Sequence, residues 1–303
     1  MLRLGEIAST NDAAHPIVTA SSTPISGTAV TRSWRVVTAV LSTVSHGSLL
    51  FLALASWLVP DQLPSGTLLR AFGLLCLAPA LVAWLLRRVH ATTMTVSDDV
   101  LVLRARAEGI EIPLASIAAV VPWWVPLPAP GFWLGLRSGQ RLPEGLIPND
   151  PGAFLSSLAD AGISDEVLGP PSRHPMSLYA KAKSAARRRI DHPLLKFVLF
   201  SLVPTLPLFR LRQFLVYGGT FGEYYQYGLK VYLLGFGIYW LLFAVYLLLY
   251  AAVLRALTEA ASLAAAWSMP AHAASVRRGA ETVHRILYYA GVPAVLALRL
   301  FPW

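Results

Sequence analysis

Long apolar runs alternate with short polar stretches, and this pattern predicts a protein built mainly of membrane-spanning helices. The first two runs cover residues 34–60 and 67–86, and each can cross about 30 Å of hydrocarbon at about 1.5 Å per residue. A short connection containing Pro and Gly separates the two runs. We therefore predict a helical hairpin over residues 32–88.

Two later runs extend this pattern. The run at 231–254 is the most continuous one and predicts a further span. The run at 197–217 contains two prolines and two arginines, so it either crosses with its arginines at the far interface or forms a re-entrant half-helix. Between them, "GGTFGEYYQYG" opens a tyrosine-rich loop over residues 218–229. We expect this loop at the external interface, where tyrosine rings are favoured.

The C-terminal part predicts further helices. An Ala-rich segment and an amphipathic segment follow residue 255, and both are expected in the cytoplasm. The last apolar run, residues 286–303, is short for a span. It is either a fifth crossing that is tilted or kinked, which we favour, or an interfacial helix.

The middle of the chain, residues 91–162, changes to a β-rich pattern. The runs "TTMTV" and "VLVLRAR" are separated by a turn, and "IEIPLASIAAVV" follows a second turn. Near the end of this segment, Asn149 or Asp150 can cap a helix that has Pro151 in its first turn. The apolar face of this helix is expected to lie on a small sheet.

Three stretches of this segment resemble the bacterial pleckstrin-homology-like (bPH) domain of membrane proteins that begin with a helical hairpin. They are "TMTVSDDVLVLRARAEGIEIPLASIAAV", "RSGQR" and "PNDPGAFLSSL". The resemblance implies a small curved sheet capped by a helix, a bacterial membrane location, and oligomerisation or protein interaction. The Pro- and Trp-rich residues 122–133 depart from the family pattern. The family has no catalytic residues that could be carried over to this chain.

Together these patterns predict an α-helical integral membrane protein with four or five transmembrane helices and a small cytoplasmic β-rich, PH-like domain inserted after the second helix. The predicted organisation, in chain order, is a disordered tail (1–31), a transmembrane hairpin (32–88), the bPH-like domain (91–162), a basic linker with a juxtamembrane helix (163–196), two transmembrane segments (197–254) with their external loop (218–229), and cytoplasmic helices followed by either a fifth transmembrane segment or an interfacial helix (255–303).

Composition agrees with a membrane protein. Hydrophobic residues make up 55% of the chain and charged residues only 14%, whereas soluble domains carry about 25% charge. The net charge of +9 is expected to serve membrane topology and anionic lipid headgroups rather than nucleic acid. The single cysteine, Cys76, excludes an internal disulfide framework.

Basic clusters predict the orientation. Arginines flank both ends of the hairpin, and "KAKSAARRRIDHPLLK" precedes the third apolar run. Because positive residues collect on the cytoplasmic side, we expect the N-terminus and the bPH-like domain in the cytoplasm, at the bacterial inner membrane. The cluster that contains Arg187, Arg188 and Arg189 is a topology signal or a binding surface for anionic lipid or a partner.

Several polar residues are candidates for a ligand or partner site. Glu223 in the tyrosine-rich loop could pair with Arg210 or Arg212, hold a ligand or partner together with Tyr224, or be simply exposed. His46 lies inside the first apolar run, where it either bonds to a neighbouring helix or takes part in ligand binding or proton transfer.

The tryptophan-rich stretch offers a second kind of candidate. Trp123, Trp124 and Trp133 could pack against the sheet, dip into the inner leaflet or anchor a partner. No metal-ligand motif or nucleophile motif stands out in the sequence, so we predict no catalytic residue, metal or cofactor.

Two functions remain in view at this point. The favoured one is a non-catalytic scaffold or accessory subunit that forms a homo-oligomer or binds another membrane protein. The alternative is an intramembrane enzyme or small-molecule permease with a polar site at the outer interface.

Overall fold

The computed structural model describes residues 24–58, 64–97, 99–105, 108–186 and 191–300. The protein is about 70% helical and combines four long apolar helices with one curled antiparallel sheet. The predicted combination of apolar helices and a small β-rich part is therefore confirmed.

The sheet has seven strands in the order β4-β3-β2-β1-β7-β6-β5, and all neighbouring strands pair antiparallel. The strands are β1 (Ile25–Thr31), β2 (Ala91–Val96), β3 (Val100–Ala105), β4 (Glu108–Pro113), β5 (Ile117–Pro122), β6 (Phe132–Leu136) and β7 (Glu144–Pro148).

Strand β1 corrects the prediction of a disordered tail over residues 1–31. Residues 1–23 lie outside the described residues, but Ile25–Thr31 form a strand in the middle of the sheet. Ile25 pairs with Met94 on β2, and Gly27 pairs with Pro148 on β7. The composition, rich in Ser, Thr and Gly, concealed a strand whose partners come much later in the chain. The sheet therefore begins before the hairpin, which is inserted between β1 and β2.

Helix α4 (Pro151–Asp160) closes the sheet, as the capping pattern predicts. Asp150 accepts hydrogen bonds from the backbone N–H groups of Gly152 and Ala153 at 3.0 and 3.1 Å. Phe154 and Leu158 of α4 are fully buried against the inner face of the sheet. Burying apolar area of this kind supplies the main stabilisation of the sheet and its helix.

The remaining helices are α1 (Arg32–Leu58), α2 (Ser65–Ala71), α3 (Ala78–Val89), α5 (Asp165–Arg173), α6 (Pro175–Ala185), α7 (Leu202–Tyr217), α8 (Gly222–Ser268), α9 (Ala273–Tyr289) and α10 (Gly291–Leu300). A π-helical segment, Phe72–Leu77, joins α2 to α3, and another, Leu194–Leu199, precedes α7.

Four helical segments are long and apolar enough to cross a membrane within the described residues: Arg32–Leu58, Ser65–Val89, Leu194–Tyr217 and Gly222–Ser268. The first two pack against each other and against α8 through a buried cluster that includes Leu52, Cys76 and Val245. Ser45 on α1 also donates a hydrogen bond to the carbonyl oxygen of Cys76 at 2.9 Å.

The predicted loop at 218–229 is mostly helical. The chain reverses between Gly218, which has a φ of 74°, and Phe221, and α8 then begins at Gly222. A single non-helical residue, Gly228 with a φ of 83°, separates the first turns of α8 from the rest. Glycine fits both positions because it adopts positive φ without steric penalty.

Helix α8 is much longer than the predicted span. After the interruption at Gly228 the helix continues over residues 229–268, which corresponds to about 60 Å at about 1.5 Å per residue. The described C-terminal residues then form α9 and the ten-residue α10, which meet at a break near Ala290. Neither helix is among the four long apolar segments of the described residues, so the predicted fifth crossing is not observed as a continuous helix there.

Candidate functional site

The polar cluster that the sequence predicts around Glu223 forms at the start of α8. Glu223 is buried, its carboxylate accepts a hydrogen bond from Gln213 at 2.6 Å, and its backbone N–H donates to the same side chain at 3.2 Å. Arg212 forms an ion pair with Glu223 at 3.3 Å, and the Tyr217 hydroxyl donates to Glu223 at 3.2 Å. These bonds hold the end of α7 against the start of α8.

Arg210 and Tyr224 do not join this cluster. Both side chains are exposed, and Tyr224 contacts the ring of Tyr225 with 5.3 Å between centroids. The partners of Glu223 come from its own helix hairpin and satisfy its carboxylate. The geometry therefore favours the structural ion pair over a ligand site, and burial of Glu223 excludes simple exposure.

His46 lies on α1 and contacts a cavity described below. Its Nδ1 lies 2.6 Å from the carbonyl oxygen of Ser42, so this nitrogen carries the proton. Ser42 also accepts a hydrogen bond from Arg87 of α3 at 2.8 Å. His46 therefore bonds within its own helix, while its ring faces the cavity.

Trp123 and Trp133 connect the sheet to α1. Trp123 is 2% exposed and packs against Trp133 with 5.7 Å between ring centroids. The guanidinium carbon of Arg35, in the first turn of α1, lies 3.8 Å from the Trp123 ring centroid. This cation–π contact fixes the base of α1 to the sheet. For Trp123 and Trp133 we considered packing against the sheet, insertion into the inner leaflet and anchoring of a partner. Their position agrees with packing against the sheet.

Trp124 contacts the C-terminal end of α8. It stacks on Trp267 with 5.7 Å between centroids and meets His174 edge-on at 5.9 Å. It is still 72% exposed. The loop after β5 therefore contacts the helical part at two places, the start of α1 through Arg35 and the C-terminal end of α8 through Trp267. Arg187, Arg188 and Arg189 lie outside the described residues.

A buried ion network, which the sequence did not reveal, joins α6, α8 and α9. Its centre is Arg277 on α9, which is fully buried. Arg277 forms ion pairs with Glu259 of α8 and Glu281 of α9, each at 2.7 Å. Arg255 of α8 bridges the same two carboxylates at 2.7 and 2.9 Å. A buried arginine between two acids is strongly destabilised when either partner is removed.

Helix α6 enters the network through Glu259. Lys183 lies 3.2 Å from Glu259, and the Tyr179 hydroxyl donates a short hydrogen bond to the same carboxylate. Burial raises the pKa of Tyr179, and the negative charge of Glu259 raises it further. The Tyr179 hydroxyl therefore stays protonated at neutral pH and donates its hydrogen bond to Glu259.

Lys196 and His284 form a second buried pair beside the network. Lys196 precedes α7, His284 lies on α9, and their Nζ and Nε2 atoms are 3.0 Å apart. His284 Nδ1 lies 3.5 Å from Thr258 Oγ1, whose proton goes to the carbonyl oxygen of Leu254. Burial, together with the charge of Lys196, lowers the pKa of His284 to about 4. His284 is thus neutral at pH 7, and its Nε2 accepts a hydrogen bond from the ammonium group of Lys196.

Arg285 ties α9 to the segment that enters α7. It forms an ion pair with Asp191 at 2.7 Å and donates to the carbonyl oxygen of Ala186 at 3.1 Å. Burial would raise the pKa of Asp191, but the hydrogen bond and charge of Arg285 outweigh burial and lower it. Asp191 therefore acts in an ion pair that connects α9 to the segment before α7.

A cavity of about 1050 Å³ lies where the sheet, α1, α6, α8 and α9 meet. Its polar lining includes Lys183, Lys196, Arg255, Glu259 and His284. The lining also includes apolar residues of the long helices: Leu49, Leu50, Phe197, Leu248, Ala251 and Ala252. The cavity is therefore polar on one side and apolar on the other. Within the described residues, no three His, Cys, Asp or Glu side chains group as a metal site.

The signal that could have revealed this site lies in the spacing along α9. Arg277, Glu281 and His284 recur at helical spacing and share one face. The sequence showed an amphipathic helix but not that its charged face would be buried, while Val283 and Ile286 are more than half exposed.

The fold and the site thus define a class: a helical protein with four apolar helices, an antiparallel sheet joined to their base, and a charged cavity between them. The chain matches no protein-family model, no curated protein and no solved structure.

Proposed function

We propose that this chain is a multi-pass membrane protein that works as a non-catalytic scaffold or accessory subunit. The four long helices support the membrane placement, because only 17% to 28% of their apolar windows is buried within the protein. Leu74 and Leu215, for example, are 72% and 77% exposed. Water would strongly disfavour so large an apolar surface, whereas lipid covers it.

The orientation follows from the charges around the sheet. Arg32, Arg35, Arg87 and Arg88 lie at the ends of α1 and α3 that adjoin β1 and β2. The positive-inside rule then assigns the sheet to the cytoplasmic side and the Glu223 cluster to the outer side. The strand order and the capping helix α4 support a PH-like domain, and the resemblance to bPH proteins favours a bacterial inner membrane.

One observation carries the proposal of a scaffold: the membrane hairpin is inserted into the sheet. Thr31 ends β1, Arg32 begins α1, and α3 ends two residues before β2. The Arg35–Trp123 and Trp124–Trp267 contacts add two further connections. The helices and the sheet are therefore connected at several points. Such a connection is expected of a scaffold that binds one partner within the membrane and another at its surface.

The alternative of an enzyme or permease with an outer polar site has less support. Glu223 and Arg212 satisfy each other, and Arg210 and Tyr224 point away from them. A polar cavity does exist, but it lies at the opposite end of the helices.

The test is co-isolation from membranes in a mild detergent after brief in-cell crosslinking. A scaffold should elute as a defined homo-oligomer, or with one membrane-protein partner at reproducible stoichiometry, as measured by light scattering and mass spectrometry. An equally tagged, unrelated four-helix membrane protein is the control. A monomer without partners in every detergent and in crosslinked cells would contradict the proposal.

A further inference from the structure

The cavity changes character along α8. Glu259 and Arg255 line its polar end, and Ala252, Ala251 and Leu248 continue the lining one to three turns further along the helix. From residue 259 to residue 248 the helix rises about 16 Å at about 1.5 Å per residue. Leu49 and Leu50 of α1 face the same apolar end. A molecule that fills this space would meet charge at one end and hydrocarbon side chains at the other.

Lys196 is the charged group of the cavity lining that has unused hydrogen-bond donors. Its side chain is 8% exposed and lines the cavity. Within the described residues it forms no ion pair, and its ammonium group makes one hydrogen bond, to His284. The Tyr288 ring lies 4.7 Å from the ammonium nitrogen and offers no further acceptor oxygen there. An ammonium group has three N–H donors, so two remain for an acceptor in the cavity.

The acids that line the cavity do not need this lysine. Asp191 is held by Arg285, and Glu281 by Arg277 and Arg255. Glu259 has Lys183, Arg255 and Arg277, and Asp150 accepts from two backbone N–H groups. Of the buried cations in the described part of the chain, Lys196 is thus the one that forms no ion pair with a carboxylate, and an anionic oxygen would complete its bonding.

We propose that the cavity binds an amphiphile with a phosphate headgroup, its phosphate on Lys196 and its hydrocarbon along Leu49, Leu50 and Leu248. The inference rests on the proposed placement of the helices in a membrane, where such molecules reach the cavity from the inner leaflet. The ligand is held between helices and sheet, so its presence would set how firmly the two parts are joined.

The test measures binding of short-chain phosphatidylglycerol to the detergent-purified full chain by titration calorimetry. Lys196→Met should weaken the affinity about tenfold to hundredfold, the range expected for losing a charge-assisted hydrogen bond. Lys230→Met is the matched control, because Lys230 is exposed near the other end of α8, and it should leave the affinity unchanged.

A second variant tests the apolar end without touching the charge. Ala252→Phe adds a ring to the cavity wall and should weaken binding at least as much as Lys196→Met does. Its size-exclusion profile and its thermal midpoint should stay those of the unaltered protein. Should Lys196→Met fail to fold, this variant alone decides the question.

Competition with inorganic phosphate and with glycerol phosphate distinguishes a lipid headgroup from free phosphate as the ligand of the cavity. Binding of the lipid with little competition from either salt supports an amphiphile site. Equal binding of free phosphate, binding that neither variant weakens, or no binding by folded protein would each overturn the proposal. Labelling of engineered cysteines at the two membrane faces reports membrane placement separately, so its outcome distinguishes failure of this site from failure of the proposed function.

Discussion

Arg277 offers the sharpest test of how α8 and α9 are held together. The side chain is fully buried and pairs with Glu259 and Glu281 at 2.7 Å each. Replacing it with Met keeps the volume and removes the charge, which leaves two carboxylates facing each other across the helix interface. Breaking a buried ion pair in this way costs about 3–5 kcal/mol.

The remaining partners place the expected loss at the lower end of that range. Arg255 still contacts both carboxylates, and Lys183 still contacts Glu259. We therefore expect Arg277→Met to lower the free energy of unfolding by about 3 kcal/mol. At roughly 2–4 °C per kcal/mol, the thermal midpoint should fall by about 6–12 °C.

The chain carries its own reporter for this measurement. Cys76 is the single cysteine of the sequence, is 2% exposed and lies in the helical hairpin away from α9. A maleimide dye that fluoresces on reacting with thiols should label it only when the helices open during heating. The midpoint of labelling against temperature then gives the stability of the helical part.

Arg278 is the matched control, because it is the same residue type one position further along α9 and is exposed. Arg278→Met should change the midpoint by no more than about 1–2 °C, since exposed substitutions rarely exceed about 0.5 kcal/mol. Equal midpoints for the two variants would refute the buried ion network as the joint between α8 and α9.

Three further predictions concern the sheet, its tryptophans and the buried histidine. Gly27→Val should destabilise the sheet, because a Cβ there would lie 2.6 Å from the carbonyl oxygen of Ile147, whereas Gly109→Val on β4 meets open space and should be tolerated in the same protease-resistance assay. Trp123→Ala should cost about 3–5 kcal/mol in chemical unfolding, and a loss no larger than that of Trp124→Ala would contradict its place in the core. Because folding depresses the pKa of His284 from its ordinary value to about 4, the unfolded state binds more protons below pH 6.5, and stability should fall by about 2 kcal/mol between pH 7.5 and 5. The His284→Gln variant should lack this part of the pH dependence. If the variant and the unaltered protein gave identical profiles of stability against pH, the pKa of His284 in the folded protein would be its ordinary one.

The apolar helices were predictable because each one carries its own signal. A run of about twenty apolar residues is long enough to cross a membrane and prefers lipid to water, whatever the rest of the chain does. The cap at Asp150 and the helix that follows it were equally local. These features needed no knowledge of tertiary contacts.

The features that the sequence concealed depend on partners far away in the chain. Strand β1 pairs with residues near 94 and 148, and its Ser- and Gly-rich segment alone resembles a tail. The ion network requires α9 to turn its charged face towards Glu259 and to leave Val283 and Ile286 exposed. Amphipathicity predicts two faces of a helix, but only the packing decides which face is buried.

The cluster around Glu223 falls between these cases. The composition of "GGTFGEYYQYG" correctly drew attention to Glu223, and the arginines of the preceding apolar run include Arg212, which forms an ion pair with Glu223 at 3.3 Å. The sequence could not decide between Arg212 and Arg210. Side chains two positions apart on a helix point to nearly opposite sides, and only the packing of α8 decides which side faces Glu223.

The central claim is that the sheet lies on the cytoplasmic side of a membrane that the four helices cross. Cysteines introduced singly at Thr220, between α7 and α8, and at Ser138, in the turn after β6, probe the two faces in a Cys76→Ser background. In intact spheroplasts, a thiol reagent that cannot cross membranes should label residue 220 and should reach residue 138 only after lysis. Labelling of residue 138 in intact cells, or protection of residue 220 until lysis, would contradict this topology.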